Sequence, residues 1–203
     1  DEMMNFNLLL ERSVKIHGHL CPGQVLGVKM AMLGMEMVGL DFQKEGRARN
    51  LIVYVEMDRC ATDAIQAVSG CSLGHRTMKF VDYGKMAATF VNIETGLAVR
   101  VIAREDTREK AKELFPDIED RYEAQIQTYM IMPQEELFDV MRVHVVIPPE
   151  DMPGRPLRRI QCARCGEQVQ DMREVHREGE VLCKACAEGT YYHPCDLFVI
   201  LQG

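Results

Sequence analysis

The sequence lacks a long hydrophobic run: no stretch of about 18 consecutive apolar residues occurs among its 203 residues. A membrane-spanning helix is therefore not expected. The first residues have neither the basic segment nor the apolar core of a secretory signal peptide. There is also no internal repeat and no low-complexity tract. These absences predict a cytoplasmic protein with one ordinary domain and room for a small appendage.

The chain also lacks an excess of basic residues. Its 24 lysines and arginines face 31 acidic residues, and the net charge is −7. A large nucleic-acid-binding surface is therefore not indicated. Hydrophobic residues make up 47% of the chain, which is enough for a real core. Eight cysteines without a signal peptide predict metal or thiol chemistry in a reducing compartment, rather than a disulfide framework.

Four of the cysteines form two C-x-x-C pairs in the last quarter of the chain. Cys162 and Cys165 are the first pair, Cys183 and Cys186 the second, and 17 residues lie between them. Four thiolates at this spacing can close tetrahedrally around one zinc ion and leave no open position. We therefore predict a structural zinc in a ribbon or treble-clef module.

The purpose of this module is open at the level of sequence. A stability or dimerisation element is the favoured interpretation, and contact with a partner protein or nucleic acid is the alternative. Six arginines would suit phosphate contacts: Arg155, Arg158, Arg159, Arg164, Arg173 and Arg177. The module's acidic residues nearly balance their charge, and no aromatic residues alternate with them. Three further metal-ligand types are interpreted as bystanders to the four thiolates: His176, His193 and Cys195.

A second Cys/His constellation lies near the N-terminus. His17, His19 and Cys21 fall within five residues, directly before Pro22, which fits the first turn of a helix. Cys21 is therefore expected at the N-terminus of this helix, where the helix dipole lowers the pKa of a thiol. Cys60 stands in a similar setting, after a predicted strand and at the start of a predicted helix. Mixed imidazole and thiolate ligands suit zinc or another transition metal, and an incomplete set leaves room for water or substrate. Cys21, Cys60 and His19 are also the candidates for a catalytic role.

Several other residues are weaker candidates for this site, or are interpreted as lying outside it. Cys71 is a lesser candidate ligand, since a lone buried cysteine is usually a small hydrophobe. Asp58 or Asp63 could orient a ligand imidazole. His75 is interpreted as a surface histidine, and His144 as a core or edge histidine in a strand.

The order of predicted elements argues for an α+β fold, because hairpins and helices mix without regular βαβ repeats. Helices are predicted over residues 2–16, 22–38, 61–69, 106–115 and 118–130, and strands over 51–57, 86–93, 98–103 and 140–147. Asp106 and Glu109 resemble a capping box for the fourth helix. The expected architecture is a core of helices packed on an antiparallel-containing sheet, plus the small zinc module.

A proline-rich segment predicts the domain boundary. Residues 148–156 contain four prolines and read as a stiff, extended linker. The core domain is therefore predicted over residues 1–147 and the four-cysteine module over 157–203. An apolar run at residues 197–201 predicts a final strand.

The N-terminal motifs resemble those of the FmdE-like proteins, a family named after the FmdE component of formylmethanofuran dehydrogenase. The resemblance rests on His17-Gly-His-x-Cys-Pro-Gly23, on Cys60-x-x-Asp-Ala-Ile-Gln66 and on Gly70-Cys71-Ser72-x-Gly74, together with the C-terminal zinc finger. His75 is a departure, because a lysine is expected there. The resemblance implies an α+β core, a homodimer and a metal at the Cys/His site.

The family name comes from an operon association with a molybdenum enzyme that handles a C1 unit on methanofuran. No molybdopterin or iron–sulfur motif is present, so a catalytic component of that enzyme is not expected. Our leading hypothesis is a dimeric metalloprotein linked to anaerobic redox or C1 metabolism, with an oxidoreductase as its partner and an unknown small-molecule ligand. His17, His19, Cys21 and Cys60 would form or border its open metal site. The alternatives are a regulatory protein that binds a partner or nucleic acid through its zinc finger, and a metal carrier.

Overall fold

A computed structural model gives the fold and describes residues 2–43 and 48–195. The chain divides into two compact units, Asp1–Val146 and Ile147–Gly203. None of the helices in the described part of the chain has the length and apolar character needed to span a membrane. The strand predicted at residues 197–201 lies outside the described residues.

The larger unit contains a five-stranded sheet in the order β2-β1-β3-β4-β5. Its strands are β1 (Leu51–Val55), β2 (Met78–Phe80), β3 (Ala87–Asn92), β4 (Ala98–Ala103) and β5 (Phe138–Arg142). β1 and β2 are parallel, and the other neighbours are antiparallel. The predicted α+β fold is therefore confirmed.

Within the described residues, six helices accompany this sheet. They are α1 (Glu2–His17), α2 (Pro22–Met37), α3 (Cys60–Ser69), α4 (Asp106–Leu114), α5 (Arg121–Ile131) and α6 (Gln134–Leu137). Helix α2 is the central one: it packs against α1, α3, α5 and the sheet, and most of its residues are buried. This burial explains why the residues of α2 are nearly all apolar, because a helix covered on several sides needs no polar face.

Helices α2 and α3 approach each other to backbone contact. A Cβ atom added to Gly27 of α2 would lie 2.6 Å from Cβ of Ala64 and 2.8 Å from Cα of Ala61, both on α3. The contact is possible only because glycine faces alanines. It brings the N-terminal ends of the two helices together, and those ends carry Cys21 and Cys60.

The structure differs from the sequence-based prediction at several element ends. The predicted capping box is not formed. The residue before α4 is Glu105, which makes no side-chain capping hydrogen bond, and Asp106 already lies within the helix. Helix α5 begins later than predicted, since Asp120 accepts hydrogen bonds from the amides of Tyr122 and Glu123. The last strand, β5, begins and ends earlier than predicted. Strand β2 and helix α6 were not predicted.

The described part of the smaller unit consists of two hairpins and a short helix. β6 (Arg159–Gln161) pairs with β7 (Gln168–Gln170), β8 (Val175–Arg177) pairs with β9 (Glu180–Leu182), and α7 (Lys184–Glu188) follows. This arrangement fits the predicted zinc-ribbon type of module. The proline-rich segment is not extended throughout, because Pro149–Asp151 forms a 3-10 turn.

We expect Gly27→Ala to lower the free energy of unfolding of the larger unit by about 1–3 kcal/mol, because the added methyl group overpacks the α2–α3 contact. Gly74→Ala is the matched control, since its added Cβ would meet nothing within 4 Å. This control should change stability by less than about 0.5 kcal/mol. Urea denaturation of both variants measures the difference, and equal stabilities would contradict the close helix contact.

Candidate metal centres

The four cysteines of the smaller unit converge on one point. Potential ligand atoms of Cys162, Cys165, Cys183 and Cys186 all lie within 4.8 Å of one another. The Sγ atoms of Cys165 and Cys183 are 3.9 Å apart, and zinc–sulfur bonds of about 2.3 Å in a tetrahedron require about 3.8 Å. The donor set and its spacing therefore fit a structural metal such as zinc.

Backbone turns hold both cysteine pairs. In the first, the amide of Gly166 donates to the carbonyl of Cys162 at 3.0 Å, and Gly166 has a φ of +79°. In the second, Cys183 precedes α7 and its Sγ accepts the amide of Cys186 at 3.3 Å. These turns aim amide groups at the sulfur atoms.

The thiols of this cluster do not ionise alike. Amides of Cys165 and Cys183 lower the pKa of Cys162 to about 6. A hydrogen bond to Cys183 leads the causes that raise the pKa of Cys186 to about 12. One thiolate is thus stabilised by the backbone, and further thiolates need a positive countercharge. A bound metal ion supplies that charge.

Four of the six arginines considered from sequence have partners within the smaller unit. Arg164 donates to the carbonyl of Cys186 at 3.0 Å, and Arg177 donates to that of Ala187. Two others pair with acids: Arg158 with Glu174 and Arg173 with Asp151. Cations near the end of a helix satisfy its last carbonyl groups. These contacts give the arginines a structural use and weaken the interpretation that they bind phosphate.

The N-terminal constellation also converges. His17, His19 and Cys21 offer ligand atoms that lie within 4.8 Å of one another. His17 ends α1, Cys21 immediately precedes α2, and Gly18 turns the chain with a φ of +99°. This left-handed conformation favours glycine. The ring centroids of the two histidines are 4.7 Å apart.

His17 is held in one orientation by a carboxylate. Its Nδ1 lies 2.8 Å from Oδ2 of Asp63, in the first turn of α3. Its Nε2 is buried and has no hydrogen-bond partner among the described residues. When Asp63 accepts the Nδ1 proton, Nε2 of the neutral ring carries a free lone pair. A metal ion would use this lone pair, and the carboxylate–histidine pair is the usual support of a metal ligand.

Of the two aspartates considered from sequence, Asp63 is therefore the one that contacts a candidate ligand. Asp58 is exposed. The difference follows from helix geometry, because Asp63 lies one turn into α3 and faces the end of α1.

Cys60 lies beside the group of three rather than within it. Burial in the first place, and then the neighbouring Cys60 side chain, raise the pKa of Cys21 to about 11. The predicted lowered pKa is therefore wrong for Cys21, because these effects outweigh the amides of Gln24 and Gly23. Without a metal, Cys21 is protonated at neutral pH.

The remaining candidates lie elsewhere. Cys71 is buried beyond the far end of α3, and its Sγ is 3.7 Å from the carbonyl oxygen of Leu51. The ten-residue helix separates it from Cys60 by about 15 Å. His75 is exposed and its Nδ1 lies 2.8 Å from Oγ of Ser72. His144 is exposed and follows the end of β5, so its predicted placement in a strand is wrong.

Two polar residues that support the site were missed from sequence. Gln24 is fully buried in α2, and its Nε2 donates to the carbonyl of Cys60 at 2.9 Å. Oγ of Ser13, on α1, donates to Oε1 of Gln24. The two side chains tie α1, α2 and α3 together beneath the ligands. A glutamine in the apolar sequence that follows Pro22 was the available signal.

The fold and the two donor clusters define a class, namely an α+β protein of metal-binding type with a small four-cysteine module. A family model described as "FmdE, Molybdenum formylmethanofuran dehydrogenase operon" matches residues 16–139. The chain therefore belongs to the FmdE family. The matched region contains the N-terminal constellation, strands β1 to β4 and the start of β5.

Two relatives extend the comparison. A protein of Archaeoglobus fulgidus is described as a probable S-adenosyl-L-methionine-binding protein. It is 32% identical to this chain in a match that covers 91% of this chain and 53% of that protein. The chain thus spans about half the length of this curated relative. The crystal structure of a tungsten formylmethanofuran dehydrogenase FmdE-like protein from Syntrophus aciditrophicus matches with a TM-score of 0.61 and 18% identity. The match covers 93% of this chain and 95% of that one, and it supports the fold.

We expect Asp63→Asn to weaken zinc binding at the N-terminal cluster about 10- to 100-fold, because the neutral amide holds and polarises His17 less strongly. Asp58→Asn removes the same charge from an exposed neighbour and is the matched control. Competition with a chromophoric chelator measures both affinities. Equal weakening in the two variants would show that only general electrostatics is at work.

Proposed function

We propose that this chain is a metalloprotein with two distinct centres. The cluster Cys162, Cys165, Cys183 and Cys186 holds a structural zinc ion. His17, His19 and Cys21 hold a second, reactive metal, with Cys60 beside it. The observation that carries the proposal is the buried Nε2 of His17, which lacks a partner among the described residues while Nδ1 is fixed by Asp63. An unpaired buried nitrogen is costly unless something binds it.

The arrangement supports an open site. Three close ligands leave a tetrahedral metal with one further position, and His19 is exposed to solvent. A metal bound there would supply Lewis acidity to water or a small molecule. In this proposal Asp63 fixes the orientation of His17 and directs its Nε2 toward the metal. The Cys60 thiol adjoins the site as an additional ligand or as a proton donor.

The biological setting is part of the same proposal. We place the chain in the cytoplasm as a homodimer that serves formylmethanofuran dehydrogenase-type C1 or redox metabolism and assembles with an oxidoreductase. The family description and the name of the structural relative both refer to that dehydrogenase. The exposed side chains of Leu8, Ile16 and Leu20, on and just after α1, support a contact between protomers near the site. S-adenosyl-L-methionine binding is not carried over, because half of that relative lies outside the match.

The metal content of the full chain tests the two centres. We expect two metal ions per chain in protein purified without added metal or chelator, and one in His17→Ala, because that variant loses the buried nitrogen. Cys183→Ala is the matched variant for the other centre and should lose the other ion. Elemental analysis by mass spectrometry gives the counts. One ion per chain, unchanged by His17→Ala, would overturn the N-terminal centre.

A metal carrier is the second candidate, favoured by the exposure of His19 and the small ligand set. Carrier and resident metal differ in exchange rate. Release of the N-terminal ion to a chelator within seconds would support the carrier, and retention for hours would support a reactive centre.

A further inference from the structure

Cys21 and Cys60 are neighbouring thiols on two different helices. Cys21 precedes α2 and Cys60 begins α3, and the ends of these two helices lie against each other. Both residues are partly exposed, so a small solute can reach them. Cys71, the remaining cysteine described in the larger unit, is buried beyond the far end of α3.

The packing holds these two thiols in place. A Cβ added to Gly23 would lie 3.0 Å from Cβ of Cys60 and 3.8 Å from its Sγ, so Cys60 rests on the backbone two residues beyond Cys21. Gln24 fixes the carbonyl of Cys60 from the same helix turn. A disulfide requires an S–S bond of about 2.05 Å and Cβ atoms about 3.5–4.5 Å apart. Cysteines at two helix ends in backbone contact meet this requirement by side-chain rotation, and neither helix has to unfold.

We propose that the N-terminal site is redox-gated: Cys21 and Cys60 join in a disulfide, and the oxidised site releases the metal that the reduced site holds. The disulfide follows from the packing of Cys60 against the first turn after Cys21, whereas the release of metal rests on the function proposed above.

The oxidant is a low-molecular-weight disulfide, and the exchange is balanced. The thiolate of one cysteine attacks a sulfur of the oxidant, forms a mixed disulfide and expels one thiolate. The thiolate of the second cysteine then attacks the protein sulfur and expels the other. Two protein thiols have lost two electrons and two protons, and the oxidant has become two thiols.

Oxidation and metal binding compete for the same sulfur. Cys21 contributes its Sγ to the three-ligand group, and a sulfur in a disulfide is no longer a thiolate ligand. Only His17 and His19 then remain of that group. Conversely, a bound metal holds the Cys21 sulfur as a ligand, so this sulfur cannot close the disulfide until the metal leaves.

The test uses the full chain and oxidised glutathione, with and without bound zinc. After alkylation of free thiols, peptide mass spectrometry maps the disulfides without reduction. We expect a Cys21–Cys60 crosslink in protein lacking the N-terminal metal, and formation at least about 10-fold slower in the zinc-loaded protein, because zinc holds the Cys21 sulfur that the disulfide needs. Oxidation should release the N-terminal zinc, and a reductant should restore binding. Cys71→Ser is the matched control and should behave like the wild type, whereas Cys60→Ser should give no crosslink.

Three results separate the possible failures. If the chain binds two zinc ions, but both cysteines are recovered singly alkylated after oxidation of the form that lacks the N-terminal metal, the disulfide is wrong and the proposed function stands. A crosslink in a protein that never binds an N-terminal metal refutes the gate and the proposed function, and leaves the thiol pair. A crosslink that forms equally fast with zinc bound, and releases none, overturns the gate alone. The wild-type peptide map decides the disulfide even if a cysteine variant does not fold.

Discussion

The backbone contact between α2 and α3 is the constraint on which the N-terminal site depends. Gly27 presents no side chain, and Ala61 and Ala64 present only methyl groups, so the helices meet with almost nothing between them. Densely packed interiors resist small displacements. Cys21 and Cys60 begin these two helices and therefore keep a fixed spacing. The geometry of the candidate ligands is thus set by core packing and not only by the loop that carries them.

Buried polar contacts attach the third helix to this pair. Ser13 on α1 reaches Gln24 on α2, which reaches the backbone of α3 at Cys60. His17 at the end of α1 pairs with Asp63 on α3. Leaving a buried polar group without its partner costs about 1–3 kcal/mol. These contacts therefore favour one mutual arrangement of the three helices, and in that arrangement the histidines lie beside Cys21.

The two donor clusters make different demands on a metal ion. The four-cysteine cluster has a complete tetrahedral set, and its turns direct amide groups at the sulfur atoms. The N-terminal cluster offers three close donors of mixed type, one of them exposed. A full set suits a stabilising ion, and a partial set suits an ion that meets water or a ligand. In the function proposed above, this difference assigns a structural ion to the four-cysteine cluster and a reactive ion to the N-terminal cluster.

Structural features that depend only on residues adjacent in the chain could be predicted from the sequence. Pro22 marks the start of α2 and Gly70 the end of α3, and the two C-x-x-C pairs carry their own turn geometry. Features that require distant partners were decided only by the tertiary structure. The short strand β2 exists through its pairing with β1, and the choice of Asp63 over Asp58 rests on a contact across 46 positions. The positions of Cys71 and Gln24 and the raised pKa of Cys21 have the same origin. Neighbouring residues determine where helices and turns begin and end. The burial of a side chain and the pKa of a thiol depend on which distant elements pack against them.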